Sequence, residues 1–484
     1  MNRASKTNNI FKILFFITVP LILVGATIIV LIISQGGSVT NEGIVGDYGV
    51  IRINTDPLNI DYNLFIDNKL VENLTNKGTN LKAGEHLLRI EAQGMSTWEK
   101  EVSITKGIVN EVFAKLFPEE LSLIQLTNTN IQKAFINTNG DYVFYVINQS
   151  EINENVGIWR MQLATSNLPF LNNPYNTNKL ASLNATTLEL VNKNNYELIP
   201  SPDNNKVLLI DNDSKASFVI NAQNPTQATV TIDLATIFGY IPENVNWFRN
   251  SNSLLISHQG LLFEYNLESE VTTLIKYNPN ELNPFSANTS QVVFFDKISS
   301  KLFIYKSERP SDIILTGLET PTTIEAVYLP SRSNRFFAIK SNLGYQLVDL
   351  DKNTISNMIA ENIELIMQSP DGLGYIFKSE TALLSLTIKE NIGLNILEFK
   401  TTTLDFMLNA EDKLKYVPQS NCLLYYNHES KTLYTADRDG LNRLVLLESE
   451  NINGTFNFDV NASNLILTMK AEPQVNLYRM NLLK

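Results

Sequence analysis

The chain has 484 residues, 44% of them hydrophobic and 18% charged, which predicts a folded protein of two or three domains. The formal net charge of −12 argues against nucleic-acid binding, because a surface that follows phosphates needs clustered lysine and arginine. The single cysteine, Cys422, excludes an internal disulfide framework and a cysteine-based zinc cluster.

Residues 13–33 contain no charged side chain. A helix of this length spans roughly 31 Å, the thickness of the hydrocarbon core of a bilayer. Basic residues precede the segment at Arg3, Lys6 and Lys12, and the next one is Arg52. The positive-inside rule then predicts a cytoplasmic tail at 1–12, a signal anchor at 13–33 and an extracytoplasmic remainder. A cleaved signal peptide is the alternative, but its apolar region usually covers only 7–15 residues.

Residues 34–48 are polar and glycine-rich, which predicts a flexible spacer. The following segment, 49–118, has apolar residues at period two between turn residues, a pattern typical of short β-strands. It predicts a small β-sandwich. The predicted strands are Val50–Asn54, Asn63–Asp67, His86–Ala92, Thr97–Ile104 and Asn110–Leu116.

Three features of this segment resemble the PEGA domain, a small β-sandwich of bacterial and archaeal surface proteins. They are the strand and proline turn Ile51–Pro57, the strand and Asp-Asn turn Phe65–Asn68, and the Leu-x-x-Gly-x-His element Leu81–His86. The resemblance implies a binding or spacer module without catalytic activity. His86 then begins a strand and has a structural role.

A strand–turn–strand pattern recurs through residues 119–484. Its clearest copies are Tyr196–Ile210 and Ile363–Phe377, which contain Ser-Pro-Asp-Asn and Ser-Pro-Asp-Gly turns. Both resemble the blades of WD40-like and TolB-like β-propellers. Six weaker copies have second strands at Tyr142–Ile147, Leu254–Ser257, Gln291–Phe295, Arg335–Ile339, Cys422–Tyr426 and Asn464–Met469.

The repeats predict an eight-bladed propeller, with seven blades as the alternative, because divergent repeats are easily miscounted by one. The last unit supplies three strands within 455–482, and Leu121–Asn128 is a strand without a hairpin of its own. If that strand completes the last blade, the ring closes without an exposed edge. The predicted fold class is therefore all-β: an N-terminal transmembrane helix, a PEGA-like sandwich, and a propeller closed by an N-terminal strand.

No phosphate-binding loop, nucleophile elbow or zinc-protease motif occurs in the sequence. His258 and His428 are interpreted as turn residues, since neither has a base or an orienting group nearby in sequence. Asp211–Asp213 and Asp437–Gly440 have oxygen ligands at alternate positions, but neither completes a calcium loop, so strand turns are the favoured interpretation. We therefore predict no catalytic, cofactor-binding or metal-binding residue, and no cofactor.

The remaining candidates are interpreted as parts of the core. Cys422 lies in an apolar strand and is predicted to be a small buried hydrophobic residue. Large aromatic side chains are predicted to wedge between blades: Trp159, Trp247, Phe294, Phe295, Tyr425 and Tyr426.

The architecture predicts a membrane-anchored envelope protein of a prokaryotic surface, bound to the membrane through 13–33. Propellers bind partners with loops on a rigid ring. We therefore expect a non-enzymatic binding or scaffold protein that recognises another envelope protein or a wall polysaccharide, and no nucleic acid. The alternative is a propeller glycosidase or lyase, which converging carboxylates in the channel would favour. The sequence leaves the oligomeric state open.

Overall fold

The structure, a computed structural model, has two compact units, Met1–Glu120 and Leu121–Lys484. The structure describes residues 18–20, 22–27, 38–40, 43–45, 48–58, 60–71, 78–137, 140–150, 153–163, 176–221, 230–278, 285–306, 311–313, 323–342, 344–356, 363–391, 396–417, 422–459, 463–471 and 473–482.

Little of the predicted anchor lies within the described residues. Residues 18–20 and 22–27 are helical, whereas the tail 1–12 and the rest of 13–33 lie outside the described residues. In the described part of the chain, no helix is both long enough and apolar enough to cross a membrane. The anchor therefore stays a prediction.

A short hairpin lies where the composition predicts a flexible spacer. Strand β1 (Ser38–Thr40) pairs antiparallel with β2 (Gly43–Val45). Val39, Ile44 and Val45 are β-branched, and such residues favour extended backbone, which outweighs the flanking glycines here.

The rest of the first unit is a β-sandwich. Its two sheets have the strand orders β6-β3-β9 and β5-β4-β7-β8, and β3 runs parallel to β9. The strands are β3 (Tyr48–Asp56), β4 (Asn63–Ile66), β5 (Lys69–Leu70), β6 (Gly78–Lys82), β7 (Gly84–Glu91), β8 (Trp98–Ile104) and β9 (Val109–Lys115).

Both sheets contribute to one core. Ile51 and Ile53 of β3 are fully buried and belong to the same cluster as Leu88, Ile90 and Trp98 of the facing sheet. The alternation of buried and outward residues along β3 is the period-two pattern that the sequence contains. Burial of large apolar side chains between two sheets is the main stabilising interaction of such a unit.

The described residues of the second unit form eight four-stranded antiparallel sheets. We number them 1 to 8 along the chain. Sheet 1 contains β11 (Lys133–Ile136), β12 (Tyr142–Ile147), β13 (Gly157–Gln162) and β14 (Asn176–Ala181), and sheet 2 contains β15 (Tyr196–Pro200), β16 (Lys206–Asp211), β17 (Ser217–Asn221) and β18 (Val230–Asp233). Sheet 3 contains β19 (Asn244–Phe248), β20 (Asn250–His258), β21 (Leu261–Asn266) and β22 (Thr272–Tyr277), and sheet 4 contains β23 (Phe285–Ala287), β24 (Val292–Asp296), β25 (Lys301–Tyr305) and β26 (Ser311–Ile313).

Sheets 5 to 8 follow the same order, except that the last sheet takes its outer strand, β10, from the beginning of the unit. Sheet 5 contains β27 (Ile324–Tyr328), β28 (Phe336–Ser341), β29 (Gly344–Asp349) and β30 (Thr354–Ile355), and sheet 6 contains β31 (Glu364–Gln368), β32 (Gly374–Lys378), β33 (Leu383–Asn391) and β34 (Ile396–Thr403). Sheet 7 contains β35 (Lys413–Tyr416), β36 (Cys422–Asn427), β37 (Thr432–Asp437) and β38 (Leu444–Glu448), and sheet 8 contains β39 (Ile452–Phe458), β40 (Asn464–Ala471), β41 (Gln474–Asn481) and β10 (Leu123–Gln125).

Strand β10 pairs antiparallel with β41, so that Leu123 lies opposite Met480. This is the pairing that the incomplete last repeat predicts. In addition, the strand that the repeat pattern predicts as second in each unit is the second strand of one sheet.

Buried side chains join each sheet to the next one around the unit. Shared clusters contain residues from sheets 1 and 2, 2 and 3, 3 and 4, 4 and 5, 5 and 6, 6 and 7, and 8 and 1. Between sheets 7 and 8, the rings of Tyr426 and Phe456 have centroids 5.9 Å apart. Since sheet 8 packs against sheet 1 through Ile466 and Val143, the order of sheets closes on itself. This is the topology of a β-propeller.

The first strand of each sheet lies at the inner edge of the ring. First strands of neighbouring sheets contact each other, as β11 contacts β39 and β23 contacts β27. Side chains also donate hydrogen bonds across these seams. Trp247 Nε1 donates to Ile199 O at 2.9 Å, and Gln368 Nε2 donates to Leu329 O at 2.8 Å. The inner edge therefore places side chains from several sheets close together.

Among the described residues, two α-helices that the sequence analysis does not predict interrupt the strands of the second unit. Helix α1 (Ala185–Asn192) begins with a capping box between Asn184 and Thr187. Helix α2 (Leu234–Phe238) begins at Asp233 and ends at Gly239, whose φ of 74° suits glycine. Both are too short to show a clear helical period, and their caps, rather than periodicity, mark them.

Candidate functional site

The three histidines are held in local contacts. His86 Nδ1 lies 2.7 Å from Asp67 Oδ2, and its Nε2 lies 2.8 Å from Lys82 O. His258 stacks on Tyr240 with ring centroids 3.9 Å apart. His428 Nδ1 lies 2.6 Å from Glu411 Oε2. In the described part of the chain, no group of three His, Cys, Asp or Glu residues could hold a metal ion.

The acidic segments form turns. Asp211 accepts hydrogen bonds from Asp213 N and from Ser214 Oγ, at 2.9 and 2.8 Å. Asp437 accepts one from Asn442 Nδ2 at 3.0 Å. Carboxylates that accept bonds from residues two to five positions later stabilise tight turns.

Cys422 and the predicted aromatic wedges lie in the core of the second unit. Cys422 is 2% exposed. Trp247, Phe294, Phe295, Tyr425 and Tyr426 are buried, and Trp159 packs against the cluster that joins sheets 1 and 8. These aromatics lie between sheets and leave no exposed stacking platform of their own.

The Ser-Pro-Asp turn of sheet 6 connects that sheet to sheet 7. Asp371 accepts hydrogen bonds from Ser369 Oγ and from Leu373 N, and Arg438 Nη2 donates to its Oδ2 at 2.8 Å. Burial opposes ionisation of this carboxyl, but the Arg438 charge and the hydrogen bonds outweigh it and lower the pKa of Asp371. We call Ser369, Asp371 and Arg438 the Arg438 lock.

A glycine makes room for this lock. A Cβ atom at Gly374 would lie 3.0 Å from Arg438 Cδ and 3.0 Å from the hydroxyl oxygen of Tyr416. The Arg438 side chain is only 13% exposed, whereas Asp371 is 46% exposed. The lock is thus a fixed ion pair that joins two sheets.

A cavity of about 190 Å³ lies where the inner strands of sheets 1, 7 and 8 begin. We call it the inner-edge cavity. Its described lining residues carry amide, hydroxyl, apolar and ammonium groups, and none carries a carboxylate. They are Ile131, Gln132, Lys133, Ala134, Asn194, Lys413, Asn453, Thr455, Thr468 and Val475.

Three lysines are grouped at this edge, and we call Lys133, Lys413 and Lys415 the lysine cluster. Lys133 Nζ donates to Tyr196 O at 2.8 Å, and Lys415 Nζ donates to Phe456 O at 3.0 Å. Both are thus held by backbone carbonyls of the neighbouring sheet. Within the described residues, neither Lys133 nor Lys415 has a carboxylate at ion-pair distance.

Burial disfavours the charged form of all three lysines in the cluster. Burial lowers the pKa of Lys415 to about 8, and the charge of Lys413 adds to this effect. Burial and Lys413 also lower the pKa of Lys133, although Glu197 acts in the opposite direction. Burial lowers the pKa of Lys413 itself. Like charges that are close together and partly buried favour loss of a proton.

Sequence reasoning missed this cluster. Lys133 is separated from the other two lysines by most of the propeller sequence, and only ring closure brings sheets 7, 8 and 1 together. The local signal was weak: Lys413 and Lys415 share one side of a four-residue strand, where lysine is otherwise depleted.

No protein-family model matches this sequence, and no curated protein matches it either. Solved structures to which the chain is similar include the WD40 domain of SCAP from fission yeast, with 9% identity and a TM-score of 0.42, covering 75% of this chain and 94% of that one. Another is the oligogalacturonate lyase of Vibrio parahaemolyticus, with 10% identity, a TM-score of 0.39, and 75% and 98% covered.

A third similar structure is Hsv2 of Kluyvelomyces marxianus, with 9% identity and a TM-score of 0.38, covering 66% of this chain and 98% of that one. At this level, these similarities carry no information about ligand or activity. The assignment of the propeller rests on the sheet order and on the packing described above.

Proposed function

We propose that this protein is a membrane-anchored, extracytoplasmic binding or scaffold protein of the cell envelope. Its eight-bladed propeller recognises a protein partner or a wall glycan. The anchor is segment 13–33, with the N-terminus in the cytoplasm, and the sandwich of residues 49–118 is a PEGA-like binding or spacer module.

One observation carries the binding role: the inner-edge cavity is concave, polar and lined by residues of three sheets. A cavity between rigid sheets holds its groups in fixed positions, as a binding site requires. Lys133 and Lys413 give it positive charge in a chain whose net charge is −12. Since no carboxylate is among its described lining residues, the cavity offers groups that bind a ligand better than groups that hydrolyse a glycosidic bond.

Location and binding can be tested on the full chain. External protease should degrade the propeller unit in intact cells while a label at the N-terminus stays protected; complete protection of both would contradict the proposed topology. Detergent-solubilised full chain should then retain a defined envelope protein or protein-free wall polysaccharide. Retention of neither would contradict the binding role. Ultraviolet absorbance from an unsaturated product, on incubation with acidic polysaccharide, would instead favour the lyase that the sequence analysis gives as the alternative.

A further inference from the structure

We propose that Lys206 and Asn252 form an intramolecular isopeptide bond, with Glu268 as the proton carrier. The bond is a covalent cross-link between sheets 2 and 3. It does not depend on the proposed binding role. The three chemical groups that such a reaction requires, an amine, an amide and a carboxylate, meet at the seam between these two sheets.

The contacts place the amide between the other two groups. Lys206 Nζ donates hydrogen bonds to Asn252 Oδ1 and, at 3.0 Å, to Ser251 O. Asn252 Nδ2 donates to Glu268 Oε1 at 2.5 Å. The carbonyl carbon Cγ of Asn252 is bonded to the oxygen that the amine contacts, so the amine lies close to the atom that it would attack. The amide thus has a nucleophile on one side and a carboxylate on the other.

The fold holds the three groups in position. Lys206 begins strand β16 and is only 6% exposed. Asn252 lies near the beginning of β20, and its backbone N donates to Asn250 Oδ1 at 2.8 Å. Glu268 follows β21, and its backbone N donates to Asn266 Oδ1 at 3.0 Å. Groups that are held together in this way react as if they were at a very high concentration.

The turn before Lys206 does not itself require a lysine. Sheet 6 has the same Ser-Pro-Asp turn, and Gly374 is the corresponding residue there. In both turns the serine hydroxyl accepts a hydrogen bond from the backbone N five positions later, from Lys206 to Ser201 at 2.9 Å and from Gly374 to Ser369 at 2.7 Å. A lysine that only joined two sheets would need the carbonyl oxygens alone. The carboxylate beyond the amide is what condensation requires in addition.

The reaction balances with the atoms of these side chains. The neutral amine of Lys206 attacks Cγ of Asn252 with its electron pair, and the π electrons of the carbonyl move onto Oδ1. One proton then passes from Nζ through the Glu268 carboxylate to Nδ2, which that carboxylate contacts. The carbonyl re-forms, the Cγ–Nδ2 bond breaks, and its electrons leave with the nitrogen as ammonia. The product is an amide between Nζ and Cγ, and no oxidant or cofactor is consumed.

A bond at this seam would close a loop from the second strand of sheet 2 to the second strand of sheet 3. Cross-links that close long loops stabilise a fold because they restrict the unfolded chain. Cys422 is the single cysteine of the sequence, so an internal disulfide cannot supply such a link. An isopeptide bond needs no cysteine and joins neighbouring sheets of the ring.

The test is tryptic peptide mapping of the purified full chain by tandem mass spectrometry. Trypsin does not cleave after a lysine whose amine is acylated. We therefore expect one branched product that joins residues 194–215 to residues 250–276 and has the summed mass of both peptides less one ammonia. Separate peptides 194–206, 207–215 and 250–276 at their unmodified masses would overturn the proposal. This result does not depend on how any variant folds.

Three variants assign the roles. Lys206→Arg should abolish the branched peptide, because a guanidinium stays protonated and is not a nucleophile. Glu268→Gln keeps a polar side chain but cannot carry the proton, and it should lower the yield roughly 10-fold or more. The matched control is Glu270→Gln, which removes another exposed carboxylate of the same turn and should leave the yield unchanged. Circular dichroism confirms that the variants are folded.

The remaining outcomes contradict particular parts of the proposal. A single asparagine can also lose ammonia by cyclising, so a lower mass without a branched peptide would overturn the cross-link. A branched peptide that persists in Lys206→Arg would overturn the assignment of the amine. An unchanged yield in Glu268→Gln would overturn the role of the glutamate.

Discussion

Sheet 7 takes part in two cationic groups that differ in their partners. On one side, the Arg438 lock joins it to sheet 6, and Asp371 forms an ion pair with the arginine. On the other side, Lys415 reaches sheet 8 and meets the carbonyl oxygen of Phe456. The fold supplies a carboxylate to the first cation, and a carbonyl oxygen and an aromatic ring to the second. A cation paired with a carboxylate is better compensated for its burial than a cation that meets only neutral groups.

The largest expected effect is on stability, when the ion pair between Asp371 and Arg438 is removed. Asp371→Ala removes the partner of a mostly buried guanidinium, and we expect a loss of about 2 kcal/mol in free energy of unfolding. The half-exposed position of Asp371 keeps the effect below that of a fully buried pair. Urea unfolding of the full chain measures it. Glu380→Ala, at an exposed position of the same sheet, is the control, and equal stability of the two variants would contradict a structural role of the lock.

A smaller effect on the free energy of unfolding concerns Lys415, which contacts a carbonyl oxygen and has no carboxylate at ion-pair distance among the described residues. The pKa of Lys415 in the folded chain lies below its ordinary value of 10.5, so between about pH 8 and 10.5 the folded state binds fewer protons and its stability rises with pH. At neutral pH the buried charge is destabilising. Lys415→Met should therefore raise the free energy of unfolding by about 1 kcal/mol, and the gain should vanish near pH 10.5. Urea unfolding at both pH values measures it, and a loss of stability at neutral pH would assign the lysine to the fold.

The smallest effect tests an exposed pair in the sandwich. Burial lowers the pKa of His86, but the bonds to Asp67 and Lys82 outweigh it, so the pKa is raised overall. Protonated His86 thus contributes stability below its unfolded pKa, and this contribution is lost as the pH rises through the folded pKa. We expect less than about 1 kcal/mol. An NMR titration should show a lower pKa for His86 in Asp67→Asn, and an unchanged pKa would contradict the pairing.

Strand positions were predictable because their signals are local. The alternation that buries Ile51 and Ile53 is contained in a single strand of the sandwich, and the Ser-Pro-Asp turns fix where the second strands of two sheets begin. The parallel pairing of β3 with β9 and the two short helices were not predictable in this way. The pairing joins distant segments, and the helices depend on caps rather than on a period.

The sequence by itself determined the all-β character, the second strand of each sheet and the completion of the last sheet by β10, because period-two patterns and turn residues act over a few positions. Only the tertiary structure decided which charges meet. Lys133 and Lys413 line one cavity because sheet 8 packs against sheet 1. Electrostatic interactions depend on distance in space and on burial, and neither is encoded by separation along the chain.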